Sequence, residues 1–168
     1  MKVRSGFVSN SSSSSFIVAF PQVPGSVDEV RALLFGDVEL WAAEWYEHDS
    51  IEISILAKRV FSQIEEGQPV AVADIVYEAS SGTLDSGEAD RVTYDMFRSD
   101  GGDINGVDWR AYEREKRKMA LGFAEDFVEA NEGCTFLRFS FSDDDPVGAT
   151  LERSEVFRNL AHFRVSHH

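Results

Sequence analysis

The sequence predicts an α+β fold in which a small sheet packs against several helices. Strand patterns occur near both ends of the chain, and helical patterns fill the region between them. The 168 residues include 13 Phe, 3 Trp and 4 Tyr, which supply bulky side chains for one core. A chain of this length fits a single domain, so we expect residues 1–168 to form one globular unit with helices on one face of the sheet.

Strands are expected near residues 16–20, 135–142 and 162–167. The run FIVAF at 16–20 is apolar and rich in β-forming residues, and Pro21 ends it. The run TFLRFSFS at 135–142 alternates between apolar and polar residues. Since successive side chains of a strand point to opposite faces, this alternation indicates a strand with one apolar face.

Helix-start signals mark two helices in the first half of the chain. Ser26 with Glu29 three residues later forms a capping-box pattern, which predicts a helix directly after Ser26 that ends at Gly36. Asp49 offers a second N-cap for a helix over residues 50–66, where apolar residues recur on one helical face.

Three further stretches have weaker patterns. Residues 38–47 are ambiguous, although two tryptophans four apart suit one helix face. Residues 72–79 place four apolar side chains at helical spacing, which favours a helix, with a strand as the alternative because of the valines. The motif DDDPVG at 143–148 predicts a turn, and Ser154 predicts a short capped helix near 154–160.

The longest helix is predicted over residues 109–131. Asp108 is suited to cap its start and Gly133 to end it. The preceding segment, 80–107, combines glycines with many acidic residues. It is predicted to be irregular, with a short helix near 89–98, and loops of such length in small domains are often functional.

The charge of the chain is strongly acidic and unevenly distributed. Lys and Arg total 16 against 30 Asp and Glu, for a formal net charge of −14. The first 26 residues hold Lys2, Arg4 and no acid, so residues 27–168 carry −16 with the other 14 bases and all 30 acids. Broad nucleic-acid binding and binding to anionic membranes are therefore disfavoured, and a basic protein partner fits the charge.

The cysteine count and the hydropathy pattern indicate a cytoplasmic protein. The single cysteine, Cys134, cannot form an internal disulfide, which fits a reducing compartment or a setting in which no disulfide is needed. No apolar run approaches the length of a membrane span. The basic start lacks the apolar stretch of a secretory signal.

A serine-rich segment at residues 5–15, SGFVSNSSSSS, is the one low-complexity tract. Such tracts behave as flexible arms, but apolar residues on both sides also fit an ordered loop. Its hydroxyl and N–H groups could hold an anion such as phosphate, and its serines could be phosphorylated. The candidate residues for anion binding or modification are Arg4, Ser11, Ser12, Ser13, Ser14 and Ser15.

The C-terminal segment offers ligands for a divalent metal. Carboxylates and imidazoles are common ligands of transition metals, and the candidates here are Asp143, Asp145, His162 and His167. A site requires that the turn containing the aspartates lie beside the last strand. The alternative is a helix-capping turn and a solvated chain end. No cofactor is expected otherwise.

Both ends of the chain resemble one family of bacterial and phage proteins of uncharacterised activity. The opening RSGFVSNSSSSSFIV resembles the family's (R)xxFVxNSSSSSF start, and the closing FSFSDDDPVGATLERSEVFRNLAHFRVSHH resembles a tail that ends in an RxSHH-like motif. Together they cover about 45 of the 168 residues. Where the family's tail has SDNDG and LEHG, this chain has SDDDP and LERS, so Arg153 stands where the family has a histidine. The resemblance implies a shared family without implying an activity.

No specific catalytic motif is present. The chain has no P-loop, no dinucleotide-binding glycine pattern, no CxxC, no HExxH and no GxSxG. The leading hypothesis is a non-enzymatic interaction or accessory protein with an acidic body. The alternative is a metal-dependent hydrolase or metal-binding protein that uses the C-terminal Asp and His residues.

Overall fold

The computed structural model describes residues 13–42, 50–81, 83–84, 94–97 and 106–166. The strands are β1 Ser13–Phe20, β2 Leu40–Ala42, β3 Ser50–Glu52, β4 Thr83–Leu84, β5 Thr135–Ser142 and β6 Ala161–Ser166. The helices are α1 Val27–Leu34, α2 Ile53–Glu66, α3 Val72–Ser81, α4 Trp109–Ala130 and α5 Pro146–Arg153. The predicted α+β class is confirmed, as are the three predicted strands and the longest helix to within a few residues.

The main sheet has the strand order β4-β6-β1-β5, and all neighbouring strands are antiparallel. β1 is paired on both sides over most of its length, with Ser13 opposite Ser142 on β5 and Ser14 opposite Ser166 on β6. β2 and β3 form a separate two-stranded sheet. The first and last strands of the described part of the chain, β1 and β6, therefore lie side by side in the middle of the main sheet.

Helices cover both faces of the main sheet, so the expectation of helices on one face is wrong. Phe16, Val18 and Phe20 of β1 pack in one apolar cluster with α1, α2 and α5. Ile17 faces the other way and packs in a second cluster with α3 and α4. The physical reason is visible in FIVAF: a strand that is apolar at every position needs cover on both faces.

The helix starts predicted from the capping residues Ser26 and Asp108 are confirmed. The Oγ of Ser26 accepts a hydrogen bond from the Glu29 N–H at 3.2 Å, and the Asp108 carboxylate accepts one from the Ala111 N–H at 3.0 Å. Gly133 follows α4 with a φ of +84°, a conformation that favours glycine. The helix expected over residues 72–79 is present as α3.

Two helices begin elsewhere than predicted. α2 begins at Ile53 because residues 50–52 pair with β2 as a strand, and Asp49 lies outside the described residues. No helix occupies residues 154–160; the helix in this region is α5, which starts directly after Asp145. Pro146 fits the first turn of a helix because a proline there needs no N–H partner.

The described parts of the segment expected to be irregular form regular elements. α3 extends to Ser81, and Thr83–Leu84 pairs with β6 as β4. Tyr94–Phe97 forms a 3-10 turn within the region where a short helix was expected. The other residues between 82 and 105 lie outside the described part of the chain.

Polar groups of α2, and of the residues that follow α2, form hydrogen bonds with the outer edge of β5. The Nε2 of Gln63 donates to the Ser140 carbonyl at 2.9 Å, and its Oε1 accepts from the Ser140 N–H at 3.0 Å. The Val70 N–H donates to the Phe136 carbonyl at 2.8 Å. These contacts occupy positions that a neighbouring strand would otherwise use.

Candidate functional site

A buried polar cluster lies where β1, α5 and β6 meet. The Oγ of Ser14 donates to Oε1 of Glu152 at 3.0 Å. The Nε and Nη2 of Arg164 donate to the same Oγ at 3.0 and 2.9 Å, and Nη2 lies 3.8 Å from Oε1 of Glu152. Ser14 and Glu152 are each 1% exposed.

The strand register explains how these three residues meet. Ser14 and Phe16 are two apart on β1 and therefore share a face of the sheet. Arg164 lies opposite Phe16 on β6, and its guanidinium lies 5.8 Å from the centre of the Phe16 ring. Glu152 reaches the same position from α5. A charge at such depth is tolerated only when it is paired and hydrogen-bonded, and the cluster meets this requirement.

The chemistry of the cluster fits structural support better than nucleophilic catalysis. A serine nucleophile needs a lone pair directed at a substrate and a base that takes its proton. The Ser14 oxygen accepts two N–H groups from Arg164 and is nearly closed to solvent. The hydrogen bond between Ser14 and Glu152 ties β1 to α5.

The predicted serine candidates divide into two groups. Ser13, Ser14 and Ser15 belong to β1, so the strand begins three residues earlier than predicted. Ser14 and Ser15 are buried, which argues against modification of either one in the folded protein. Arg4, Ser11 and Ser12 lie outside the described residues, and the anion or modification hypothesis stays a prediction for them.

The three predicted metal ligands within the described residues, Asp143, Asp145 and His162, have protein partners. Asp143 pairs with Arg153 at 3.3 Å. Asp145 accepts from the Gly148 N–H at 2.8 Å and also pairs with Arg59 at 2.8 Å. The Nδ1 of His162 lies 2.9 Å from the Leu160 carbonyl oxygen, a contact that fits an N–H donor.

The sheet register also separates these residues. The aspartates follow Ser142, which lies opposite Ser13, whereas His162 lies opposite Val18. Five residues of strand between the two positions correspond to about 17 Å. Within the described residues, no group of three or more His, Cys, Asp and Glu side chains could hold a metal ion. Asp143, Asp145 and His162 are therefore not brought together, and His167 lies outside the described residues.

A further acidic segment, which is not among the sequence-predicted sites, spans residues 37–52. It contains six carboxylates and neither Lys nor Arg. Its described parts are residues 37–42 and 50–52. Val38 and Leu40 are 49% and 54% exposed and alternate with the exposed acids Asp37 and Glu39. A count of charges in short windows would have found this segment.

One side of the acidic segment is anchored to the fold. The Trp41 ring packs edge-on against Phe35 with 5.5 Å between ring centres, and the Arg158 guanidinium lies 5.9 Å from the Trp41 ring centre. The Ile53 N–H donates to the Glu39 carbonyl at 3.0 Å. Because Trp41 points inward, its neighbour Leu40 points outward.

A cleft of about 530 Å³ lies between α3 and α4. Tyr77 and Ser80 of α3 line one wall, and Glu113, Arg114 and Arg117 of α4 line the other. This cleft differs from the acidic segment because two guanidinium groups border it.

The chain matches no known protein-family model, no curated protein and no solved structure. In the described part of the chain, every helix is too short or too polar to cross a bilayer.

Proposed function

We propose that this protein is a non-enzymatic interaction protein whose acidic segment binds a basic protein partner. The main observation behind the proposal is the composition of residues 37–52. They contain six carboxylates, neither Lys nor Arg, and two exposed apolar side chains, Val38 and Leu40. Opposite charges speed the encounter of two proteins and select the partner. Val38 and Leu40 add apolar contact area of the kind found at the centre of an interface.

The anchoring of Trp41 supports this proposal. An interface loses less conformational entropy on binding when its residues are already held in place. β2 pairs with β3, and Trp41 contacts both Phe35 and Arg158. The exposed side chains of β2 are therefore presented from a fixed backbone.

The alternative of a metal-dependent hydrolase has weaker support. Asp143 and Asp145 are paired with arginines, and His162 lies at a distant register position. The proposal includes a reducing, cytoplasmic location, which the free Cys134 supports.

The proposal can be tested by capture experiments with two matched variants. Asp37→Asn with Glu39→Gln removes two charges from the acidic segment, and Glu125→Gln with Asp126→Asn removes two exposed charges from α4. Proteins retained at low salt are identified by mass spectrometry, and the most abundant basic one is purified for affinity measurement. We expect the first variant to weaken its binding about tenfold, or about 1.4 kcal/mol, and the control to bind like the unmodified protein. Equal effects of both variants would contradict the proposed surface.

A further inference from the structure

We propose that the cleft between α3 and α4 binds a small phosphorylated ligand that carries an aromatic ring, such as a nucleoside phosphate. The cleft volume of about 530 Å³ lies within the range typical of small-molecule sites. The inference does not depend on the proposed basic partner, because it concerns a different surface with the opposite local charge.

The two arginines of the cleft are placed to share one phosphate. Arg114 and Arg117 are three residues apart on α4, so their side chains lie on neighbouring turns of one helix face. A guanidinium presents several N–H donors in a plane and binds phosphate oxygens in a bidentate manner. Two such groups on one wall of a cleft match the charge and geometry of a phosphate group.

Neither cleft arginine has a carboxylate partner among the described residues, whereas four of the nine described arginines do. The paired arginines are Arg59 with Asp145, Arg138 with Glu78, Arg153 with Asp143, and Arg164 with Glu152. Arg114 and Arg117 are exposed and form no ion pair within the described part of the chain, so their donors face the cleft and solvent.

The first half of α4 is a basic region in an acidic protein. Residues 110–118 contain five Lys and Arg and two Glu, a local charge of +3 against −14 for the chain. The residues that line the cleft include two arginines and one acid, Glu113, and an excess of positive charge raises the local concentration of anions. The site therefore selects an anion even though the protein as a whole repels it.

The α3 wall of the cleft carries side chains suited to contact the aromatic ring of the ligand. Tyr77 is 69% exposed, and aromatic rings stack on nucleic-acid bases. Ala73 and Val76 contribute apolar surface beside it. The Ser80 hydroxyl donates to the Tyr77 carbonyl at 2.9 Å, which leaves its oxygen as an acceptor. Glu113 on the opposite wall is a second acceptor, suited to an amino group of a base.

The test is a titration of the full chain at low ionic strength with four nucleoside monophosphates, AMP, GMP, CMP and UMP. Inorganic phosphate and adenosine are titrated separately. We expect at least one nucleotide to bind in a saturable manner, about tenfold more tightly than phosphate, and adenosine to bind more weakly still. Binding is followed by calorimetry, and amide NMR shifts identify the residues that respond.

Variants then locate the site. Arg114→Gln with Arg117→Gln should abolish nucleotide binding, and Tyr77→Ala should weaken nucleotide binding without changing phosphate binding. Lys116→Gln with Lys118→Gln removes the same charge from the same half of α4, outside the residues that line the cleft, and should weaken binding much less than the arginine double variant does. The proposal is overturned if no nucleotide binds, if phosphate alone binds equally well, or if both double variants lose binding to the same extent. Circular dichroism melting verifies that each variant is folded.

Discussion

The Oγ of Ser14 donates a 3.0 Å hydrogen bond to the Glu152 carboxylate across a sequence separation of 138 residues. Arg164 completes the cluster from the last described strand. The bond joins β1, near the start of the described chain, to α5, near its end. It also places a carboxylate within an otherwise apolar region beside Phe16, where Ser14 and Arg164 supply its partners.

Replacement of Ser14 by alanine should destabilise the fold. The change removes a donor to Glu152 and an acceptor for Arg164, which leaves buried polar groups without their partner. We expect a loss of about 1–3 kcal/mol in the free energy of unfolding, measured by urea denaturation with an unchanged slope. Ser13→Ala, at the partly buried neighbour, should change stability by less than about 0.5 kcal/mol. Similar losses for both variants would show that the hydrogen bonds contribute little.

An acidic replacement distinguishes a buried Ser14 from a modification site. Ser14→Asp places a second carboxylate against Glu152 where solvent access is about 1%, so like-charge repulsion adds to the desolvation penalty. We expect Ser14→Asp to lower the melting temperature more than Ser14→Ala does. Ser13→Asp serves as the control and should be tolerated. A Ser14→Asp protein as stable as the Ser13→Asp protein would restore Ser14 as a candidate for phosphorylation.

Local sequence signals account for most of the correct fold predictions. The caps at Ser26 and Asp108 act within one helical turn, so their effect is visible in a few residues. The alternation in β5 also predicts its buried face correctly. Where two local signals compete, tertiary context decides: residues 50–52 pair with β2 although they follow a good N-cap residue.

The site could be predicted less well because its parts are distant in sequence. Ser14 belongs to a run of equivalent serines, and only the register of β1 selects it to face Glu152. The same register also separates His162 from Asp143 and Asp145. These residues were predicted to form one site only because all of them belong to the C-terminal segment. The acidic segment, in contrast, is contiguous, so the charges of residues 37–52 in the sequence are enough to identify it.

Removal of the Gln63 side-chain amide should expose the edge of β5. Gln63→Ala deletes both hydrogen bonds to the Ser140 backbone. We expect a stability loss of about 1–2 kcal/mol and more self-association, because an open edge can pair with another chain. Sedimentation velocity at several concentrations measures the association. The control is Ser62→Ala, at the neighbouring exposed residue, which should change neither stability nor self-association. If the Gln63→Ala protein behaved like this control, the Gln63 amide would not protect the edge of β5.

Two glycines should respond to alanine in opposite directions. A Cβ at Gly148, in the first turn of α5, would overlap the Ser142 carbonyl oxygen, so either α5 or the end of β5 must move. We expect Gly148→Ala to cost about 1–3 kcal/mol. A Cβ at Gly122 in α4 meets no atom within 4 Å. Because alanine favours a helix by about 1 kcal/mol over glycine, Gly122→Ala should stabilise the protein. Thermal melts of the two variants beside the unmodified chain provide the measurement. If Gly148→Ala proved as stable as Gly122→Ala, the close approach of α5 to the end of β5 would be wrong.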